Sequence, residues 1–370
     1  MPFDAIVVGA GPAGGTAAYH LAKRGHKILL LEKQALPRYK PCGGGVSPEV
    51  QNWFDFDLRP AVSARVNKII CTLNLGDQVE IDLGRDELWM VRREEFDFLL
   101  AKKAEAAGAT VMDQAAVTAV TRAENAWRVT VGQETFESPL IIAADGAKGP
   151  LAKLLGFPER KRFIAGAVEA ELPSDGKPDD TLYMEFGLIK NGYLWNFPKS
   201  DGHSIGGGAF KSSAKQDVKE ITDDYTKSFG LDPLSGHRFG HPILMWNGHQ
   251  ALHIDGAILA GEAACVVDPF TAEGIRPSIQ SGLRAADAID AAIKGDKKAL
   301  AGYSKRMKEE HGVDMAWAKR LCDLFYTLAP MSYHLVIQRP ALQQMLVDVA
   351  TGKLRYRDIG GRMMKSIMSK

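Results

Sequence analysis

Residues 3–32 read FDAIVVGAGPAGGTAAYHLAKRGHKILLLE, and this stretch decides the fold. Residues 3–8 form an apolar, β-branched run that suits a buried strand. Gly9-Ala10-Gly11-Pro12-Ala13-Gly14 follows as a glycine turn, and residues 13–24 are alanine-rich and helix-compatible until Gly25 stops them. Residues 27–32, KILLLE, make a second buried strand, so the unit reads βαβ. Inside such a unit the spacing G-x-G-x-x-G has a mechanical meaning. The first glycine makes the tight turn, the second lets a pyrophosphate approach the backbone, and the third lets helix and strand pack closely. Glu32 ends the second strand, where a carboxylate accepts hydrogen bonds from an adenosine ribose and its charge disfavours a 2′-phosphate. A lone glycine pattern is weak, but here strand, turn, helix, second strand and terminal acid coincide. The turn by itself does not separate one dinucleotide from another.

Working outward, 370 residues at 45% hydrophobic leave room for a large core and two linked domains. Lys+Arg number 46 against 45 Asp+Glu, a net charge of +1, so the overall balance calls for no nucleic acid. Cys42, Cys71, Cys265 and Cys322 lie far apart, without the spacing of a zinc site, as expected in a reducing compartment. His203, His237, His241, His249 and His253 form no metal pattern either, and no metal is expected. The N-terminus shows no signal-peptide layout, and no apolar run approaches the roughly 18 residues of a spanning helix. The expected location is cytoplasmic, with membrane association left open.

Residues 67–83 alternate around Gly76-Asp77 like a hairpin, and Phe96, Leu99, Leu100, Ala104 and Ala107 mark one face of a helix. Residues 109–143 return to strands. From about 160 to 210, strand-like segments near 165–172, 181–186, 192–197 and 203–210 predict an antiparallel sheet. Another apolar strand at 257–260 leads through a glycine turn into a helix over roughly 274–292, so the α/β layer resumes. The expected division is residues 1–65, 93–160 and 250–295 in a discontinuous dinucleotide-binding domain, 66–92 and 161–249 in a substrate domain, and 296–370 in a helical C-terminal region.

Two later segments narrow the cofactor. Ile141-Ile142-Ala143-Ala144-Asp145-Gly146-Ala147 and Ala260-Gly261-Glu262-Ala263-Ala264 resemble two further FAD fingerprints of the group-A flavoprotein hydroxylase and reductase superfamily. That resemblance implies a Rossmann-like FAD domain of the glutathione-reductase type, βαβ with a parallel sheet, interleaved with an α+β substrate domain. Residues 269–275, PFTAEGI, open a helix whose free N–H groups suit the N1/C2=O edge of a reduced flavin. The superfamily usually has Asp where this chain has Glu262, and Gly where it has Cys265 and Ala272.

Pro41-Cys42-Gly43-Gly44-Gly45, Tyr193-x-Trp195-x-Phe197-Pro198 followed by Gly206-Gly207, and Arg93-x-x-Phe96-Asp97 together resemble the geranylgeranyl reductase family over residues 3–290. The resemblance implies FAD-dependent reduction of isolated C=C bonds in a prenyl chain, by hydride transfer from reduced flavin N5. It implies Cys42, Tyr193 and Trp195 as catalytic residues. It places Gly9, Gly11, Pro12, Ala13, Gly14, Glu32, Lys33, Arg38, Cys42, Gly43, Gly44, Arg93, Val117, Asp145, Gly146, Gly261, Glu262, Gly274 and Ile275 around the cofactor. The partners implied are a prenyl-chain lipid and an electron donor: NAD(P)H, ferredoxin or a quinol.

Plainer readings stand beside these. Alternating aromatics on a strand are often sheet core. Cys42 reads either as small filler or, beside Lys40 and Arg38, as a thiol of lowered pKa. Arg38 and Arg93 read either as cofactor contacts or as solvated surface arginines. A flavin monooxygenase or halogenase, and a non-catalytic flavin- or lipid-binding protein, are the alternative functions. Residues 353–370 hold six Lys/Arg against Asp358, interleaved with Leu354, Tyr356, Ile359 and several methionines, and predict either a bilayer contact or a solvated tail.

Overall fold

The computed structural model describes residues 3–174, 179–210 and 216–359. The apolar runs of the opening stretch form the centre of a six-stranded sheet in the order His253–Ile254, Ala257–Leu259, Leu140–Ala143, Ala5–Val8, Ile28–Leu31, Thr110–Met112. All neighbours run parallel except the edge strand His253–Ile254, which is antiparallel to Ala257–Leu259. Parallel strands are covered on both faces, which explains why AIVV and ILLL are buried at every position. The helix Pro12–Lys23 packs against Ile275–Ile293 and Arg93–Ala106 on one side. A three-stranded antiparallel sheet, Val117–Arg122, Trp127–Val131 and Glu134–Ser138, is inserted before the strand Leu140–Ala143.

The second large sheet has seven strands in the order His237–Met245, Phe163–Pro173, Gly202–Ala209, Gly192–Lys199, Thr181–Phe186, Lys68–Leu73, Gly76–Asp82. It is antiparallel apart from one pair, Lys68–Leu73 beside Thr181–Phe186, which runs parallel. The sheet is therefore mixed rather than purely antiparallel. Its edge strand His237–Met245 carries Gly240 and Pro242, residues that argue against a strand in sequence. An edge position tolerates them because only one side of the strand has to pair.

The hairpin at residues 67–83 also differs in detail from its sequence pattern. Its turn is Asn74-Leu75, both left-handed at φ 52° and 59°, and Gly76-Asp77 opens the returning strand. Paired left-handed residues match the twist of a two-residue hairpin, and Asn accepts that conformation readily. The C-terminal region is helical, with Ala299–Met307, Val313–Thr327 and Pro340–Ala350 as its longer members. No helix among the described residues is long and apolar enough to cross a membrane.

Candidate functional site

The carboxyl ends of four parallel strands converge on one cavity of about 610 Å³, the place where an open α/β sheet binds its ligand. Gly9 follows Val8, Glu32 follows Leu31, Asp145 follows Ala143-Ala144, and Gly261 follows Leu259-Ala260. The opposite wall is one face of the seven-stranded sheet. Alternate residues reach it, with Ala167 and Glu169 from one strand and Tyr193, Trp195 and Phe197 from another. Of the residues expected from sequence to act in catalysis or to surround the cofactor, all but Gly14 line this cavity.

Gly14 lies beneath the turn. A Cβ there would overlap the Gly9 carbonyl oxygen, so the third glycine sets how closely helix and strand pack. Gly9 itself is left-handed, at φ +103°. At Gly11 the surroundings are open, since a Cβ would meet only Arg93 Nη2 at 3.7 Å and Arg38 Nη2 at 3.8 Å. The missing side chain thus keeps free a space flanked by two guanidinium groups at a helix N-terminus, which is what a pyrophosphate requires. Glu32 Oε2 accepts the Ala10 N–H at 2.9 Å, and Oε1 accepts that of Gln34 at 3.2 Å.

Arg38 and Arg93 are buried structural ions as well as cavity residues. Arg93 donates to both oxygens of Asp97, at 2.8 and 2.6 Å, and Arg38 Nη1 lies 2.8 Å from Asp97 Oδ2. Burial opposes ionisation of Asp97, but the two guanidiniums outweigh it and hold the carboxyl below its ordinary range. Neither arginine is the solvated surface residue that sequence left open.

Asp145 Oδ2 accepts the Leu151 N–H at 2.8 Å, while its buried Oδ1 has no partner. The helix Ile275–Ile293 begins at Gly274 without a side-chain cap and presents its first turn to the cavity. An open cradle, an orphaned carboxylate oxygen and an uncapped helix end all fit a flavin dinucleotide. Glu262 is engaged with protein groups: Oε1 accepts the Leu244 N–H at 3.0 Å, Lys40 Nζ is 3.4 Å from Oε2, and His241 Nε2 is 3.9 Å away. Burial opposes its ionisation, but Lys40, His241 and the Leu244 N–H hold the carboxyl down to about 2. Cys265 and Ala272, which stand where the superfamily usually has glycine, are both left-handed, at φ 55° and 59°.

The loop Cys42–Gly45 meets the aromatic strand directly. A Cβ on Gly43 would come within 2.8 Å of the Phe197 ring, and one on Gly206 would overlap the Trp195 indole. Tyr193 meets Trp195 edge-on and Trp195 meets Phe197 at a tilt, with ring centroids 6.0 and 6.2 Å apart, and Tyr193 donates to the Thr271 carbonyl at 2.5 Å. The aromatics are at once sheet core and cavity wall. The buried Trp195 Nε1 has no partner.

Sequence placed Lys40 and Arg38 beside Cys42, but the structure commits these cations to Glu262 and to Asp97. The groups that reach the Cys42 loop are others. Glu169 Oε1 accepts the Cys42 N–H at 2.6 Å and the Tyr39 hydroxyl at 3.0 Å, while Lys199 Nζ donates to the Gly43 and Val91 carbonyls at 2.6 and 3.1 Å. The Cys42-Gly43 segment is thereby clamped through both a donor and an acceptor. Burial, with the Glu171 charge, pushes the Glu169 carboxyl up to about 7 against the opposing pull of Tyr39, Cys42 N–H and Lys199. Burial likewise holds the Lys199 ammonium below its ordinary pKa. Sequence reading missed Glu169, Glu171 and Lys199. The available signal was Glu169 and Glu171 two apart within the apolar strand Phe163–Pro173, which puts two acids on one face.

The family described as FAD binding domain matches residues 3–174. A digeranylgeranylglycerophospholipid reductase of Methanocaldococcus jannaschii is 30% identical over 335 residues, covering 84% of this chain and 83% of the relative. The chain belongs to the geranylgeranyl reductase family of FAD-dependent oxidoreductases.

As a geranylgeranyl reductase family member, the chain is an FAD-dependent oxidoreductase and FAD is its cofactor. A geranylgeranyl bacteriochlorophyll reductase-like protein of Thermoplasma acidophilum superposes with a TM-score of 0.80 at 22% identity, covering 96% of this chain and 93% of that one. A flavin-dependent brominase superposes at 0.76 with 18% identity, each chain fully covered. At these identities both likenesses show the family's flavoprotein fold alone.

Proposed function

We propose that the protein reduces isolated C=C bonds in the prenyl chain of a lipid. The observation that carries this reading is the two-sided cavity. Its glycine-turn side offers Gly11, Glu32, Arg38 and Arg93, while its far side is apolar, walled by Ile69, Leu88, Met90, Met184, Phe210 and Val267. An isolated alkene offers no polar handle, so the protein works by enclosing the chain and excluding water. The named acceptors of the homologous reductases, which carry geranylgeranyl groups, support the same reading.

FAD fits across the polar side, with Gly11, Pro12, Ala13 and Gly14 shaping its pyrophosphate site and Glu32 at the ribose. Lys33, Arg38 and Val117 would hold the adenosine portion, Arg93, Asp145, Gly146 and Gly261 the central portion, and Glu262 pairs with Lys40 on the same cavity wall. Gly43, Gly44, Gly274 and Ile275, which also line the cavity, would hold the isoalloxazine end. When bound and reduced, FAD supplies the hydride that goes to one alkene carbon. Tyr193 and Trp195 hold the chain against the Cys42–Gly45 loop. The other alkene carbon requires a proton, and Cys42, on the cavity loop that faces Trp195 and Phe197, is the candidate donor. Glu169, fastened to the Cys42 backbone, keeps a proton near neutral pH and sets the position of that loop.

The test is anaerobic photoreduction of the bound flavin followed by addition of a geranylgeranyl lipid. Reoxidation without oxygen supports the proposal. Reoxidation only on admitting oxygen, with an oxygenated or halogenated product, favours the monooxygenase or halogenase alternative and overturns it.

A further inference from the structure

The helical C-terminal region carries an apolar stripe that the cavity does not use. On the helix Val313–Thr327, Val313, Trp317 and Leu324 are exposed along one face, at the spacing of successive turns. The stripe continues through Leu328, at the junction after this helix, and through Met331 and Leu335 on the short helical segments Ala329–Ser332 and Tyr333–Ile337. Leu324 is 60% exposed, Met331 50% and Trp317 43%, an unusual series for consecutive turns of one segment.

Two further observations say what covers this face. First, the exposed positions from 313 to 340 contain Arg320, His334 and Arg339 and no carboxylate. Arg320 lies over the Trp317 ring at 4.9 Å, and among the described residues neither Arg320 nor Arg339 is held in an ion pair. Apolar side chains interleaved with unpaired arginines, with tryptophan at their border, match the boundary of an anionic bilayer. Second, the same helices turn Phe325, Tyr326 and Tyr333 inward. There they pack on Phe186 and Phe210, and Phe210 lines the apolar side of the cavity. One layer of helix therefore separates the stripe from the chamber proposed for the prenyl chain.

From this we infer that the face Val313–Leu335 docks onto the surface of an anionic lipid bilayer and delivers lipid chains to the cavity behind it. The delivery step rests on the prenyl-reductase reading; the docking does not. The site differs from the one that sequence suggested at residues 353–370. Of that segment, Leu354 and Tyr356 are buried, Lys353 pairs with Asp86, and residues 360–370 lie outside the described structure.

Sedimentation of the holoprotein with vesicles of mixed phosphatidylcholine and phosphatidylglycerol tests the docking. We expect binding to anionic vesicles that weakens with salt, and a loss of about tenfold or more in the double variant Leu324→Glu, Met331→Glu. A second pair, Arg320→Glu with Arg339→Glu, is expected to lower binding to anionic vesicles and leave weak binding to neutral ones unchanged. Both variants should keep the flavin absorbance spectrum and react with detergent-dispersed substrate. Undiminished vesicle binding in both variants overturns the inference, as does a transfer of the whole effect to a chain ending at residue 359. A change of oligomeric state in the Leu324 and Met331 variant without a change in vesicle binding also overturns it. If vesicles bind as expected but detergent-dispersed prenyl lipid never reoxidises the flavin, the docking stands and the prenyl-reductase reading fails.

Discussion

Replacing Glu169 with glutamine isolates the charge that the fold buries beneath the Cys42 loop. In the folded protein this carboxyl titrates at about 7, whereas an ordinary glutamate titrates at 4.5. The groups facing it are Glu171 from its own strand, Tyr39 and the Cys42 N–H from the loop, and Lys199 from the aromatic strand. At about 1.4 kcal/mol per pH unit of that difference, ionising Glu169 in the folded state costs about 3 kcal/mol more than in the unfolded chain. The sign follows from proton binding. The folded state holds its proton more tightly, so the cost is absent below about 4.5, complete above about 7, and wild-type stability falls between these values. Glu169→Gln keeps an oxygen to accept from Tyr39 and Cys42 but never ionises. Urea unfolding of both proteins at about pH 5 and about pH 8, with FAD at the same saturating excess, should therefore show a difference that moves by about 2–3 kcal/mol in favour of glutamine at the higher pH. A difference that stays constant within about 1 kcal/mol across that range refutes the buried, titrating carboxylate.

Further predictions concern the cradle and the aromatic wall. Gly11→Ala should fold, because a Cβ there meets only ordinary contacts at Arg38 and Arg93, yet bind FAD at least about tenfold more weakly by equilibrium dialysis. Gly14→Ala should yield little soluble protein, since its Cβ overlaps the Gly9 carbonyl oxygen, and soluble yield with circular dichroism checks this. Gly206→Ala should retain the flavin but displace the Trp195 ring and lower turnover by about a hundredfold, measured as anaerobic flavin reoxidation. Ala272→Gly should raise the unfolding free energy by roughly 0.5–1 kcal/mol, because relief of a left-handed alanine exceeds the entropy that glycine adds to the unfolded chain.

The parallel sheet was legible because its elements are local in sequence. The runs AIVV and ILLL flank a turn whose glycines have fixed duties, and Glu32 closes the unit where the ligand site begins. The edge strand His237–Met245 was hidden by Gly240 and Pro242, since tolerance of proline depends on a neighbour that sequence does not name. The hairpin turn was misplaced by two residues because Gly-Asp is the commoner turn chemistry, whereas tertiary pairing selected Asn74-Leu75. The clamp on Cys42 was not legible. Glu169 and Lys199 lie far along the chain from that loop and reach it only through strand register in the seven-stranded sheet. Lys40, adjacent in sequence, turns instead to Glu262.

The central claim is that the apolar side of the flavin cavity holds a prenyl chain to be hydrogenated. Mass spectrometry of lipids extracted from the purified holoprotein, before and after anaerobic photoreduction with added geranylgeranyl lipid, tests it most directly. A retained isoprenoid lipid is expected, with a product of higher saturation that forms as the flavin oxidises. Recovery of the added lipid with all its double bonds intact, beside a flavin that oxidises only when air is admitted, would contradict it.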